Sequence, residues 1–99
     1  MKTTIHSAVS GHTLYVATIA RADLPEKVAN NESSAAFTTF YVVKNWDAAG
    51  PVFMYLAKGA ANAPREICAF YRNGAFWSSY GGNLKAAIEG AQKDGWMYV

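Results

Sequence analysis

The sequence has one cysteine, three prolines and no long hydrophobic run. The lone Cys68 cannot form an intramolecular disulfide, and small secreted domains normally depend on two to four such bonds. No stretch approaches the roughly 20 apolar residues of a membrane-spanning helix, and the first residues lack the apolar segment of a secretory signal. We therefore expect a cytoplasmic protein that has no membrane partner.

An excess of charge of one sign is also lacking. Nine Lys and Arg against seven Asp and Glu leave a net charge of +2, and the nine basic residues never form a run. Proteins that bind nucleic acid mainly through its phosphates need a clustered basic face. A nucleic-acid partner is therefore disfavoured.

Motifs for catalysis or metal binding are missing as well. The only two histidines are His6 and His12, and the sequences around them, His-Ser-Ala and His-Thr-Leu, do not match the His-x-Thr motif of two-histidine phosphoesterases. Cys68 has no cysteine or histidine near it in the sequence, whereas a metal site needs three or four ligands at defined spacing. We expect no catalytic residue, no metal and no cofactor, and hence a protein that is not an enzyme.

Aromatic residues, in contrast, are abundant. The 99 residues include three Trp, six Tyr and five Phe, almost as many as the 15 Ile, Leu and Val together. So many rings do not fit inside the core of one small domain, so some must face outward. Exposed Tyr and Trp are typical of binding surfaces.

The hydrophobic pattern predicts a single α+β domain over residues 1–99. It favours an antiparallel sheet of about six strands, one C-terminal amphipathic helix packed on one sheet face, and a short helix near residues 24–29 with Asp23 as its N-cap. Strand-like segments occupy residues 3–9, 13–20, 37–43, 52–57, 67–72 and 75–80, and residues 96–99 resemble a last strand. Residues 30–34 and 59–64 are predicted to be loops.

The C-terminal helix has the clearest pattern. Asn83 is a favourable N-cap, and Gly95 suits the left-handed position that ends a helix. The apolar stripe consists of Leu84, Ala87, Ile88 and Ala91. The predicted outer face carries Lys85, Glu89, Gln92 and Lys93.

The last predicted hairpin, with Asn73-Gly74 as a type I′ turn, carries the main binding hypothesis. Simple alternation places Phe76 and Tyr80 on one face and Trp77 on the other, so a large ring remains opposite the helix. We expect a non-catalytic binding protein that docks on a protein partner through an aromatic sheet face. The candidate binding residues are Tyr71, Arg72, Phe76, Trp77, Tyr80, Trp96 and Tyr98. Residues 96–99 could also pair across a two-fold axis and give a homodimer.

The alternative is a domain that sequesters a small molecule or nucleotide in an aromatic clamp. Gly81, Gly82 and Asn83 precede the helix, where backbone amides favour an anion, and Arg65 would assist. Their spacing matches neither of the glycine-rich phosphate-binding motifs, and two glycines after a strand more often make only a corner.

In its overall format the chain resembles the small phage-encoded inhibitors of bacterial defence, anti-CRISPR proteins among them. The shared features are about a hundred residues, a hairpin strand at residues 13–20, and a late capped helix at residues 83–94 followed by Trp96. The resemblance transfers no functional residue. It implies an inhibitor in the host cytoplasm that blocks the surface of a host defence protein or sequesters a signalling nucleotide.

Overall fold

The computed structural model describes residues 2–6, 13–45, 52–71, 73 and 75–95. In these ranges the chain forms an antiparallel sheet in which every strand pairs with its sequence neighbour, in the order β1-β2-β3-β4-β5-β6. The strands are β1 Lys2–His6, β2 Thr13–Ile19, β3 Thr39–Asn45, β4 Val52–Ala60, β5 Ala63–Tyr71 and β6 Phe76–Gly81, and the α-helices are α1 Glu26–Ala29 and α2 Leu84–Lys93. The predicted α+β class, antiparallel sheet and C-terminal helix are confirmed.

Both faces of the sheet are covered. We call the face under α2 the helix face, where Val43, Leu56 and Ile67 pack against Ile88. The other face lies under residues 20–38, which we call the covering segment; Val28 of this segment belongs to the core on that side. Successive side chains of a strand point to opposite faces, so β3, β4 and β5 supply both cores, which explains their nearly continuous apolar sequences.

Two polar side chains hold the turns of the covering segment together. The Arg21 guanidinium donates hydrogen bonds to the carbonyls of Ala29, Ser34 and Phe37 at 3.0–3.2 Å and stacks over the Phe40 ring. The Ser34 side chain is fully buried, and its hydroxyl lies 2.7 Å from the Val28 carbonyl oxygen, to which it donates. Within residues 30–34, which were predicted to be a loop, Ser34 is therefore packed, while Asn30 and Glu32 are exposed. Residues 32–34 form a 3₁₀ turn.

The short helix is not capped as predicted. Asp23 belongs to a separate 3₁₀ turn, and α1 begins after Pro25 with no side-chain cap. The residue before a proline is pushed towards extended backbone, and Leu24 has φ −69° and ψ 148°. Pro25 is itself extended, with ψ 141°, so the helix begins at Glu26.

The predicted loop at residues 59–64 is wrong, because β4 runs to Ala60 and β5 starts at Ala63. The register shifts between Lys58 and Ala60, and Gly59 has φ +95°. A Cβ atom on Gly59 would lie 2.6 Å from the Thr38 hydroxyl oxygen, so glycine permits this bulge both by its backbone and by its size.

Helix α2 follows its predicted pattern closely. The Asn83 side chain accepts a hydrogen bond from the Ala86 amide at 2.9 Å, and Gly95 has φ +89°. Gln92, expected on the outer face, is instead buried, because it lies eight residues after Leu84 and position i+8 belongs to the apolar stripe of a core-facing helix. None of the helices in the described ranges is long and apolar enough to cross a membrane.

Candidate functional site

The aromatic residues of β6 divide between the two faces in a way that simple alternation does not predict. Phe76 pairs with Phe70 and Ser78 pairs with Ala69, so Trp77 is an extra residue in a register shift. Trp77 and Tyr80 consequently both pack on the helix face. The prediction that Phe76 and Tyr80 share a face is wrong, because one bulge residue reverses the alternation along the rest of the strand.

On the helix face, the predicted binding residues Tyr71, Trp77 and Tyr80 brace α2. The rings of Tyr71 and Trp77 meet edge to face, with centroids 5.2 Å apart. The Trp77 indole N–H donates to the Tyr80 hydroxyl at 2.9 Å, and that hydroxyl donates to the Asp94 carboxylate at 2.7 Å. Burial first, and then the hydrogen bond to Asp94, raise the pKa of Tyr80. These half-buried rings therefore link β6 to the end of α2.

Phe76 lies on the opposite face and is open to solvent. Its side chain is 44% exposed, and among the described residues it is the one large hydrophobic side chain that is exposed. Its ring meets the edge of the Phe70 ring, with centroids 5.8 Å apart and an interplanar angle of 75°. One side of Phe76 is thus anchored to the core, while the other is available for contact.

An open pocket of about 220 Å³ lies beside Phe76. Three parts of the chain build it: the end of the covering segment, the turn between β4 and β5, and the facing residues of β5 and β6. Its lining residues are Ala36, Phe37, Ala60, Asn62, Glu66, Cys68 and Phe76. The pocket therefore combines two aromatic walls with one carboxylate and one amide.

Cys68 lies at the base of this pocket with little exposure to solvent. Its thiol donates to Oε1 of Glu66, 3.7 Å away. Burial, followed by the negative charge of Glu66 and this hydrogen bond, raises the pKa of the thiol to about 11. The thiol is therefore protonated at neutral pH and is a weak nucleophile, because the thiolate is the reactive form.

The predicted anion-binding corner forms a tight turn between β6 and α2. Gly82 has φ +97°, and the Asn83 side chain is occupied in capping the helix. Glu66 pairs with Gly81, so Arg65, which is exposed, lies next to this turn along β5. The structure thus brings Arg65, Gly81, Gly82 and Asn83 to one corner of the sheet.

Three predicted binding residues, Arg72, Trp96 and Tyr98, lie outside the described residues, and so does His12. The homodimer hypothesis depends on residues 96–99 and stays a prediction. His6 is described as part of the backbone of β1. Across the described ranges, no three His, Cys, Asp or Glu side chains group together as metal ligands would.

Asn62 and Glu66 line the pocket, but the sequence pattern did not predict either as a site residue. One signal was available for Glu66, because it shares a strand face with Cys68 and Phe70, both of which are buried. A carboxylate at the end of a buried strand face marks the place where that face reaches solvent. Asn62 has no comparable signal.

The described residues define an α+β domain with a core on each face of its sheet, an exposed ring at Phe76 and a small acidic pocket. Comparison of the chain with protein-family models, curated proteins and solved structures finds no match.

Proposed function

We propose that this chain is a non-catalytic binding protein that docks on a protein partner through Phe76 and the pocket beside it. The observation that carries the proposal is the exposure of Phe76 on a sheet whose described residues form a core on each face. Interfaces are built around large rings that are held rigidly and buried by the partner. Phe76 meets that description, because its contact with Phe70 fixes one side of the ring.

The size of the pocket favours a protein partner over a nucleotide. Pockets for drug-sized ligands have volumes of about 300 to 1,000 Å³, whereas this one measures about 220 Å³. A space of that size suits a single side chain better than a whole nucleotide. The resemblance to phage inhibitors of bacterial defence supports a host defence protein as the partner and the host cytoplasm as the place of action.

Replacement of Phe76 tests the docking surface. A tagged protein is used to capture partners from a lysate of the host, and the bound proteins are identified by mass spectrometry. We expect Phe76→Ala to lose the partner that the wild-type protein captures. Lys85→Ala, at an exposed position of α2, is the matched control and should retain it.

The fold of Phe76→Ala is checked by circular dichroism, because the lost contact with Phe70 removes about 1 kcal/mol of stability. Capture that is unchanged in Phe76→Ala would contradict the proposed surface. Substitutions of Trp77 or Tyr80 are unsuitable for this purpose, since these residues brace α2.

A thermal-shift screen addresses the nucleotide alternative. A ligand that binds only the folded state raises the melting temperature. With mono-, di- and cyclic nucleotides we expect no rise. A rise of several degrees with one of them would favour a nucleotide-sequestering domain over a protein-docking one.

A further inference from the structure

We propose that the pocket beside Phe76 binds a lysine or arginine side chain of the protein partner. This inference rests on the proposed docking function and specifies the chemistry of the partner. The charge, the walls and the size of the pocket support it.

The charge of the pocket comes from Glu66. Glu66 is the one charged residue among those that line the pocket. The pocket is therefore acidic, although the chain as a whole has a net charge of +2. Its carboxylate accepts a hydrogen bond from the Cys68 thiol, and within the described residues no lysine or arginine forms an ion pair with it. A half-buried carboxylate with only a weak thiol donor retains capacity for further donors. Ammonium and guanidinium groups supply such donors together with the opposite charge.

The walls of the pocket suit the rest of such a side chain. Phe37 and Phe76 present rings, and Ala36 and Ala60 present methyl groups. The aliphatic stem of lysine or arginine packs on apolar surface, while its cationic group is attracted to aromatic faces. The side-chain amide of Asn62 offers an acceptor at the rim. An acidic side chain of the partner would be repelled by the negative charge of Glu66. A purely aliphatic side chain would leave the Glu66 carboxylate without an oppositely charged partner.

The test uses the full-length protein labelled with nitrogen-15 and three small probes. These are lysine, arginine and norleucine, each acetylated at its amino group and methylamidated at its carboxyl group. Norleucine has a stem like that of lysine without the ammonium group, so it serves as the matched control. Binding is followed by the NMR shifts of the amides of Asn62, Glu66, Cys68 and Phe76 as the probe is titrated.

We expect the lysine and arginine probes to shift these signals saturably and to bind at least about threefold more tightly than norleucine. Glu66→Gln should remove that preference, because it retains the shape and the carbonyl acceptor but loses the charge. Glu89→Gln, the same substitution on α2, should leave the preference unchanged. Added salt should weaken the binding of the two cationic probes only.

Norleucine that binds as tightly as lysine, or a cation preference that survives Glu66→Gln, would overturn the inference. So would the absence of any saturable shift with all three probes. The capture experiment separates this failure from that of the docking function. If Phe76→Ala loses the partner but Glu66→Gln fully retains it, the docking function stands and the binding of a lysine or arginine side chain is contradicted. If both variants retain the partner, the docking function itself is contradicted.

Discussion

Gly90 is the residue of α2 that lets the helix approach Tyr80. A Cβ atom at this position would lie 3.0 Å from both Cδ1 and Cε1 of the Tyr80 ring. The ring has little freedom to move away, because its hydroxyl is tied to Trp77 and Asp94. Two effects therefore oppose each other in Gly90→Ala. Alanine favours the helix by about 1 kcal/mol, and overpacking costs about 1–3 kcal/mol.

We expect the steric effect to win, so that Gly90→Ala lowers the free energy of unfolding by about 1 kcal/mol, as measured by urea denaturation. Gly81→Ala is the matched control, because a Cβ atom there meets nothing within 4 Å, and its stability should be nearly unchanged. In a Tyr80→Phe background, which frees the ring from its hydrogen bonds, the loss caused by Gly90→Ala should shrink. A higher free energy of unfolding for Gly90→Ala would contradict this prediction and show that the Tyr80 ring moves aside.

At the scale of elements, the covering segment depends on Arg21. One planar guanidinium reaches three carbonyls, those of Ala29, Ser34 and Phe37, and also stacks on a ring. A lysine ammonium is a compact point charge and cannot reproduce this forked geometry. The three acceptors come from different turns of the segment, so this one side chain ties the turns together.

We therefore expect Arg21→Lys to lower the free energy of unfolding by about 1–2 kcal/mol. Amide hydrogen exchange in residues 24–37 should become faster than in the wild-type protein. Arg65→Lys makes the same change at an exposed position of β5, and it should alter neither quantity. Equal effects of the two substitutions would mean that Arg21 acts only through its charge.

The sequence predicts some elements better than others, for physical reasons. Helix α2 follows from local signals, since Asn83, Gly95 and an apolar stripe all lie within thirteen residues. The bulges at Gly59 and Trp77 are not visible in that way, because an inserted residue leaves the composition of a strand unchanged. One such residue placed Trp77 and Tyr80 on the same face, although simple alternation predicts opposite faces for them.

The pocket could not be predicted, because residues far apart in the sequence assemble it. Phe37 ends the covering segment, Asn62 lies in a turn and Phe76 begins β6. The packing of the covering segment was also missed. Its polar residues look like a loop in the sequence, and they become structural only when Arg21 and Ser34 find carbonyl partners across the segment.

At the scale of the whole molecule, two cores share one sheet. Leu56 and Ile67 belong to the core on the helix face, while their neighbours Tyr55 and Cys68 belong to the core under the covering segment. Loss of either core exposes one face of the same central strands. A domain of this size has a total stability of about 5–15 kcal/mol. Neither core can therefore be lost without weakening the strands on which the other depends.

This coupling predicts a single cooperative unfolding transition. Ile88→Ala removes a buried side chain on the helix face and should cost about 2–5 kcal/mol, while Val28→Ala on the other face should cost about 2 kcal/mol. A background carrying Trp46→Phe and Trp96→Phe leaves Trp77 as the one fluorescent tryptophan, which reports on the helix face. Because the cores share their strands, Val28→Ala should shift the fluorescence transition of Trp77 as far as the transition in far-ultraviolet circular dichroism. A Val28→Ala protein in which Trp77 unfolds at the unshifted urea concentration would show instead that the two cores unfold independently.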